Sequence, residues 1–284
     1  MINALTIDVE DYYHVSGFNS VIKFADWENL ESRLDISMGK ILKILSHYGV
    51  KATFFVLGWV AEKFPTVVKA IHQAGHEIAS HSYAHRLIYD QTPDEFQVDM
   101  QRSLEVIHSI IGKEVIGYRA PSFSITKQTL WALDIMQNLG IIYDSSVFPT
   151  HHDRYGIPDA PVAPYEIRPG LWEFPITTVQ VLGYNFPVGG GGYMRLYPYL
   201  LTRWGIQRVN SQGRPAVVYV HPWELDPDQP KIENVSLLNR FRHYQNLDKT
   251  EARLRALLRD FKFAPMGEVL TDWRDKFANQ KAIC

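Results

Sequence analysis

Short apolar runs alternate with amphipathic stretches along the first half of the chain. The apolar runs predict strands at 2–9, 52–58, 76–80, 114–118 and 141–144. Helical periodicity between them predicts helices at 36–49, 65–75, 92–111 and 126–139. Strands that alternate with helices at intervals of roughly 25–40 residues favour parallel βα units, as in a barrel or a doubly wound sheet.

The pattern changes after residue 144. Residues 147–170 are rich in proline and lack periodicity, so a long loop is expected there. Further along, the sequence predicts a strand at 171–182, a flexible glycine turn at 188–193, a helix at 197–210, a strand at 216–222 and a terminal amphipathic helix at 248–261. No stretch has the composition of an interdomain linker. We therefore predict one domain, residues 1–284, with an insertion at about 147–215.

The composition, 46% hydrophobic and 21% charged, is typical of a globular protein with a large core. A net charge of −2 argues against nucleic acid or an anionic membrane surface as the main partner. No apolar run is long enough for a membrane span, and the first residues lack the pattern of a signal peptide. The one cysteine, Cys284, excludes a disulfide framework. A cytoplasmic protein is expected.

Polar side chains lie at the carboxyl ends of five of the predicted strands. They are Asp8, Glu10 and Asp11 at the end of the first strand, His81 and His85 at the third, Arg119 at the fourth, Asp144 at the fifth, and His221 at the end of the strand at 216–222. Taken singly, such residues are more often helix caps or halves of ion pairs. The carboxyl ends of parallel barrel strands meet at one rim, however, so we expect these groups to lie close together.

Five segments resemble, in order, the motifs of the polysaccharide deacetylase family (NodB homology, carbohydrate esterase family four). They are TIDVED, HSYAH, RAPSF, YDSS and VYVHP, and they extend from residue 5 to about 222. The resemblance implies a deformed (β/α) barrel of seven or eight parallel strands, here with a long insertion before the last catalytic strand. It also implies a metal-dependent hydrolase that removes N-acetyl groups from an amino sugar of a bacterial polysaccharide or its precursor. The insertion resembles that of an exopolysaccharide-linked, exosortase-associated subgroup.

The spacing of His81 and His85 allows both imidazoles to bind one ion from a helical face or a loop turn. A carboxylate from the first strand would complete a set of two histidines and one acid. Many family members have two adjacent aspartates, whereas this chain does not. Strand alternation places Asp8 and Glu10 on one side, so Glu10 is the expected ligand and Asp11 the alternative. The expected ion is Zn²⁺, with cobalt, nickel or manganese as alternatives.

The resemblance also implies catalytic roles. Asp8 would be the general base, and Arg119 would keep it ionised and oriented. His221 would be the general acid for the leaving amine, with Asp144 as the partner that raises its pKa. The backbone N–H of Ser122 would stabilise the oxyanion.

The insertion is expected to cover the barrel mouth and select the substrate. Its aromatic residues are Trp172, Phe174, Tyr184, Phe186 and Tyr193. Tyr193 would lie against a sugar, His152 or Arg154 would reach polar groups, and the glycine run would let the backbone approach the sugar. Trp223 either stacks on a sugar ring or is a buried aromatic at a strand end.

The expected substrate is an N-acetylated sugar or oligosaccharide, lipid-linked or nucleotide-linked, that is modified before export. Two other functions remain open at this point. One is a metal-poor, allantoinase-like amidohydrolase, against which the paired histidines argue. The other is a catalytically inactive sugar-binding relative, against which the complete set of acid, base and ligand residues argues.

Overall fold

The computed structural model of the chain describes residues 1–152 and 154–281. Cys284 lies outside the described residues. The strands are β1 (Ile2–Val9), β2 (Thr53–Val56), β3 (Glu77–Ser80), β4 (Gly117–Tyr118), β5 (Tyr143–Asp144), β6 (Tyr165–Arg168), β7 (Leu171–Glu173), β8 (Thr178–Val181), β9 (Tyr184–Pro187), β10 (Val217–Val220) and β11 (Lys262–Ala264).

Helices connect most of these strands. They are α1 (Leu34–Tyr48), α2 (Gly58–Lys63), α3 (Pro65–Gln73), α4 (Pro93–Ile111), α5 (Trp131–Asn138), α6 (Gly191–Leu196), α7 (Tyr199–Ser211), α8 (Leu237–Tyr244), α9 (Leu247–Asp260) and α10 (Met266–Lys281). Among these helices, none has both the length and the apolar composition needed to cross a bilayer.

The main sheet has the order β10–β1–β2–β3–β4–β5–β7–β6, and β11 pairs with the first half of β1. All of these pairs are parallel except β6 with β7. The hairpin β8–β9 forms a separate two-stranded sheet. The sheet is curled into a half-barrel, which confirms the predicted deformed α/β barrel.

The strand register places several carboxyl ends along one edge of the sheet. Val9 pairs with Val56, Val56 with Ser80, Ser80 with Tyr118, and Tyr118 with Asp144. Every residue of β1 after Ile2 is buried, as expected for a strand inside a parallel sheet. The segments that follow these strands therefore meet at one rim.

Two predicted elements are shorter in the structure. The helix expected from residue 126 begins at Trp131, because Thr129 Oγ1 accepts a hydrogen bond from the Thr126 backbone N–H at 2.8 Å and a turn forms instead. The strand expected at 171–182 ends at Glu173 and resumes at Thr178, since Pro175 has no N–H for a sheet ladder. The region expected as a loop at 147–170 contains β6.

The glycine run at 189–192 was wrongly predicted to be a flexible turn. Its backbone lies against β10, where Gly190 bridges to Tyr219. A Cβ on Gly190 would lie 2.0 Å from the Tyr219 carbonyl oxygen, and one on Gly191 would lie 2.6 Å from the Tyr219 ring. Gly190 also has a φ of 139°, in the range that favours glycine. Gly190 and Gly191 thus permit close packing of the chain on the strand β10, while the expected approach of the glycine run to a sugar stays a prediction.

Candidate active site

Three side chains from two strand ends converge at the rim. The imidazole Nε2 atoms of His81 and His85 lie 3.0 Å and 3.1 Å from Glu10 Oε1. All three residues are buried. The two histidines follow β3 on a loop, where Ser82 and His85 have positive φ values of 65° and 51°. This irregular backbone, rather than a helix, turns both imidazoles towards the same carboxylate.

The hydrogen bonding of His81 indicates that this cluster fits a cation. Its Nδ1 lies 2.7 Å from the Arg119 backbone carbonyl, which can only accept, so Nδ1 carries the proton. In the neutral ring Nε2 is then a lone pair that faces a carboxylate oxygen. Both ring nitrogens of the buried His85 lack a hydrogen bond among the described residues. Two imidazoles and a carboxylate are a donor set that suits zinc and similar divalent ions.

The alternative ligand, Asp11, faces away from the histidines. Its Oδ2 accepts hydrogen bonds from Ser32 Oγ at 2.7 Å and from the Arg33 N–H at 2.8 Å, and its Oδ1 accepts one from the Tyr12 N–H at 2.9 Å. Burial raises the pKa of Asp11 to about 6. Asp11 therefore anchors the start of α1, and Glu10 is the carboxylate that the structure places beside the imidazoles.

Asp8 and Arg119 form a buried ion pair below the cluster. Arg119 Nη1 donates to Asp8 Oδ1 at 2.6 Å and to Thr6 Oγ1 at 2.8 Å. The same guanidinium donates to the Ser145 carbonyl and hydroxyl, and it lies 4.2 Å above the Phe55 ring. With donors committed on several sides, Arg119 is fixed and in turn fixes the orientation of Asp8.

His221 lies across the cavity from these groups. Its Nε2 is 3.8 Å from Asp8 Oδ2 and 3.9 Å from Glu10 Oε1. Burial would lower the pKa of the His221 imidazole, but the carboxylates of Glu10 and then Glu224 raise it to about 9. These carboxylates favour the protonated imidazole, the form that can donate a proton.

The carboxylate partner of His221 is Glu224 rather than Asp144. Glu224 Oε2 lies 3.5 Å from His221 Nδ1 and accepts a hydrogen bond from the His221 N–H at 3.0 Å. Arg195 Nε donates to Glu224 Oε1 at 2.9 Å. Burial would raise the pKa of Glu224, but Arg195 and then His221 lower it to about 2. Glu224 is thus an ionised, fixed partner for the imidazole.

Asp144 instead pairs with a second carboxyl, so its predicted contact with His221 is not formed. Asp144 and Glu173 are neighbours in the strand register, and Ser146 Oγ donates to Asp144 Oδ1. Burial raises the pKa of Asp144 to about 6 and the pKa of Glu173 well above its usual value. Two adjacent buried carboxyls disfavour ionisation of both, so the protonated form of Glu173 is favoured beside Asp144.

Ser122 lies on the wall of the same cavity, after the short turn that follows Arg119. Its φ of 50° is in the left-handed region, as is the φ of 54° at Phe123. Its Oγ is 2.7 Å from Ser16 Oγ. Non-glycine residues seldom adopt this conformation and often do so at functional sites.

Two connected cavities lie at the barrel mouth. The smaller, of about 160 Å³, is lined by Asp8, Glu10, both histidines of the cluster and His221. The larger, of about 440 Å³, also reaches His221 and is lined mainly by residues of the second half of the chain, including α8, together with Val15, Phe18 and Ser122. All four predicted substrate contacts, His152, Arg154, Tyr193 and Trp223, line the larger cavity.

The residues predicted to contact the substrate also contact other side chains of the protein. Arg154 Nη2 donates to Asn239 Oδ1 at 3.1 Å. The His152 ring stacks on Tyr155 with centroids 3.8 Å apart, and the Tyr155 and Tyr193 hydroxyls lie 3.2 Å apart. Trp223 is only 5% exposed and stacks on the imidazoles of His221 and His243. Trp223 is thus mostly buried, but it also lines both cavities, so its predicted contact with a sugar stays a prediction.

The other predicted wall aromatics are not at the mouth. Phe174 is fully buried in the barrel core, and Trp172 lies under the Arg274 guanidinium. Tyr184 and Phe186 are exposed on the hairpin β8–β9.

Sequence reasoning also missed four contributors: Glu224, Arg195, Tyr155 and helix α8. Of these, Glu224 had a local signal, three residues after His221 in a His-Pro-x-Glu sequence that resembles a helix-capping box.

Comparison with known families finds two matches along the chain. Residues 36–143 match the polysaccharide deacetylase family, and residues 145–271 match a domain of unknown function, DUF3473. The deacetylase match contains His81, His85 and Arg119, and the second match contains Glu224 and His221.

Curated relatives share the deacetylase region. The chain is 38% identical over 104 residues to a peptidoglycan-N-acetylglucosamine deacetylase of Bacillus cereus, which covers 36% of this chain and 37% of the relative. It is 33% identical over 114 residues to a peptidoglycan deacetylase-like protein of Gibberella zeae, which covers 39% and 33%. The chain thus spans well under half the length of these relatives.

Solved structures share the fold over almost the whole chain. A candidate polysaccharide deacetylase from Mycobacterium smegmatis aligns with a TM-score of 0.62 at 19% identity, over 97% of this chain and 91% of that one. Peptidoglycan deacetylase PdaC from Bacillus subtilis aligns with a TM-score of 0.52 at 14% identity, over 98% and 94%. At these identities the likeness concerns the fold alone.

Proposed function

We propose that the protein is a metal-dependent hydrolase that removes N-acetyl groups from an amino sugar of a bacterial polysaccharide or its precursor. The observation that carries this proposal is the buried Asp8–Arg119 pair beside the cluster of Glu10, His81 and His85. A base, a cation site and a proton donor at one cavity are the parts that amide hydrolysis requires.

Glu10, His81 and His85 would hold the ion, which we propose to be Zn²⁺, with cobalt, nickel or manganese as alternatives. When bound, it would lower the pKa of a water molecule and polarise the acetyl oxygen. The Arg119 carbonyl, which accepts from His81 Nδ1, would keep the Nε2 lone pair of that ring available to the ion.

Asp8 would take the proton of the attacking water. Arg119 holds Asp8 Oδ1 at 2.6 Å, so Oδ2 is the oxygen that would accept this proton. The guanidinium keeps Asp8 oriented through the same contact. The Ser122 N–H, beside the cavity, would donate to the oxyanion.

His221 would give its proton to the leaving amine nitrogen. Its Nε2 lies on the cavity side, 3.8 Å from Asp8 Oδ2, while Nδ1 faces Glu224. Glu224 would hold the ring in this orientation and stabilise its protonated form, the role that the resemblance gave to Asp144.

The proposed substrate is an N-acetylated sugar or oligosaccharide, carried on a lipid or a nucleotide and modified in the cytoplasm before export. The larger cavity supports an oligosaccharide, because it extends from His221 along His152, Arg154 and Tyr193. The single cysteine of the sequence is compatible with a reducing compartment. We further propose the exopolysaccharide-linked subgroup, on the basis of the long region between Asp144 and His221.

The two competing functions receive less support. A metal-poor amidohydrolase would have no use for two imidazoles that face one carboxylate oxygen. An inactive sugar-binding relative would have no need of the pairs that hold Asp8 and His221 in place.

A screen for acetate release tests the proposal. Purified protein, stripped of metal and then reconstituted with Zn²⁺, should release acetate from at least one of three substrate classes. These are peptidoglycan fragments, exopolysaccharide oligomers, and lipid-linked or nucleotide-linked N-acetyl sugars. Elemental analysis should find one metal ion per chain. Absence of both metal binding and acetate release would refute the proposal, while cell fractionation that places the protein outside the cytoplasm would refute the proposed compartment.

A further inference from the structure

Exposed apolar side chains are concentrated in one part of the described chain. Of the 17 large hydrophobic residues that are exposed, 11 fall between residues 181 and 241. This segment is about a fifth of the sequence, so the distribution is far from even. Exposed hydrophobic residues that occur singly need no explanation, but a concentration of them indicates an interaction surface.

Two helices in this segment repeat one pattern. Residues 200–204 read LLTRW on α7, and residues 237–241 read LLNRF on α8. In each helix both leucines and the aromatic residue are exposed. The exposed fractions are 71%, 41% and 43% for Leu200, Leu201 and Trp204, and 84%, 54% and 57% for Leu237, Leu238 and Phe241. Positions i, i+1 and i+4 lie on one helical face, so each helix presents a short apolar stripe.

The α8 stripe borders the larger cavity, and the α7 stripe follows α6, which also reaches that cavity. Leu238 and Phe241 line the larger cavity at the barrel mouth, as does Leu196, which lies four residues before Leu200. Leu196 is 48% exposed. We call the set of Leu196, Leu200, Leu201, Trp204, Leu237, Leu238 and Phe241 the apolar rim.

The segments around the apolar rim carry more basic than acidic charge. Residues 181–211 contain three arginines and residues 236–245 contain two, and neither segment contains an acidic residue. Arg195 is buried against Glu224, and Arg203 pairs with Asp260 of α9 at 3.1 Å. The positive charge that these segments add beside the rim therefore comes mainly from Arg208 and Arg240.

We propose that the apolar rim docks on an anionic phospholipid bilayer, with the barrel mouth facing the membrane. Leucine, tryptophan and phenylalanine on one helix face, with arginine at its border, are typical of helices that lie in the membrane interface. The arginines would contact lipid phosphates, a stabilisation that salt weakens. The net charge alone argues against an anionic membrane as a main partner. The local charge beside the rim instead favours such a partner.

A second copy of the chain fits this surface less well. In a twofold dimer the same patch meets itself, so the arginines of one copy would approach those of the other with no acidic residue in these segments to pair with. A bilayer with anionic headgroups supplies both the apolar layer and the opposite charge. The docking does not depend on the proposed hydrolase activity, although it would present a lipid-linked sugar directly to the mouth.

Vesicle co-sedimentation tests the proposal. The full-length protein should sediment with phosphatidylglycerol vesicles and much less with pure phosphatidylcholine, and binding should weaken as salt rises. Leu200→Gln, Trp204→Gln and Leu237→Gln lie outside the cavity and are each expected to reduce partitioning about tenfold. Val98→Gln, at a residue on α4 that is 69% exposed, is the matched control and should change nothing.

Activity on a soluble oligosaccharide separates docking from catalysis, and the three rim variants should retain it. The proposal is wrong if the native protein does not bind anionic vesicles. It is also wrong if a variant that combines the three rim substitutions still sediments with them. It is also wrong if light scattering shows a dimer that the rim variants dissociate, because the occupant would then be a second copy.

Discussion

The regions before and after residue 144 each supply one side of the candidate site, and they do so by different means. The first carries Asp8, Glu10, both histidines of the cluster and Arg119 at the ends of strands or directly after them. The second carries His221 and its support, which comes from contacts distant in sequence. Arg195 of α6, for example, joins Glu224 to the carbonyls of His243 and Gln245 beside α8.

The first region therefore holds most of the groups expected to perform the chemistry, and the second region forms the wall around them. Side chains of the first region depend on strand register, which a short motif specifies. The second region builds the wall of the mouth from a packed glycine run, a buried arginine and α8, none of which follows from a short motif. Substitutions around 152–155 and 192–196 should therefore alter which substrate is accepted without altering the chemistry.

The sharpest test of the first region is Asp8→Asn. Because the amide cannot accept a proton, kcat should fall by about 10³-fold while metal content is retained. His81→Ala should lose metal and activity together. Asp11→Asn is the control, with lower stability but an unchanged metal content by elemental analysis. Loss of metal in Asp8→Asn would make Asp8 a ligand and our division of roles wrong.

The second region should be most sensitive at Gly190. Gly190→Ala places a methyl group 2.0 Å from the Tyr219 carbonyl oxygen, at a φ of 139°. We expect a loss of about 3 kcal/mol in the free energy of unfolding, measured by urea denaturation. Gly192→Ala, where a Cβ meets only Arg195 Nη2 at 3.9 Å, should change the free energy little. Equal effects of the two variants would contradict close packing on β10.

Glu224→Gln tests the link between the regions. Removal of its charge should lower the pKa of His221, which is now about 9. If protonated His221 is the acid, kcat falls as pH rises through this pKa, so the alkaline limb of the kcat profile should move to lower pH. The kcat at its optimum should fall about tenfold. Asp144→Asn should leave the position of the limb unchanged, and the opposite outcome would restore Asp144 as the partner.

The smallest effect is expected at the mouth. Arg154→Ala removes a guanidinium that lines the larger cavity and contacts Asn239. KM for the preferred oligosaccharide should rise by roughly threefold to tenfold with kcat nearly unchanged, since a contact equal in ground and transition states affects binding alone. Arg168→Ala, at a surface pair with Asp134, should leave both constants unchanged. A fall in kcat instead would place Arg154 in the chemistry.

Sequence reasoning was most successful where a side chain follows a strand. Strand alternation put Asp8 and Glu10 on one side of β1, and the structure places both at one cavity. It failed for Asp144, because the register sets this residue beside Glu173 on β7, a strand whose neighbour in the sheet could not be inferred from the sequence. The roles of the site residues and the single-domain organisation of residues 1–284 stay predictions.

The long-range pairing of β1 has a consequence for the order of folding. Ala4 pairs with Val217 on β10, and Ile2 pairs with Lys262 on β11, so the first strand has neighbours from near the end of the chain. Contacts of such large sequence separation form late, because the intervening loop must be closed first. During synthesis the strand that carries Asp8 therefore keeps an open edge until residue 220 has been made. Asp8 is therefore made before β10, but its strand is enclosed only after β10 has been made.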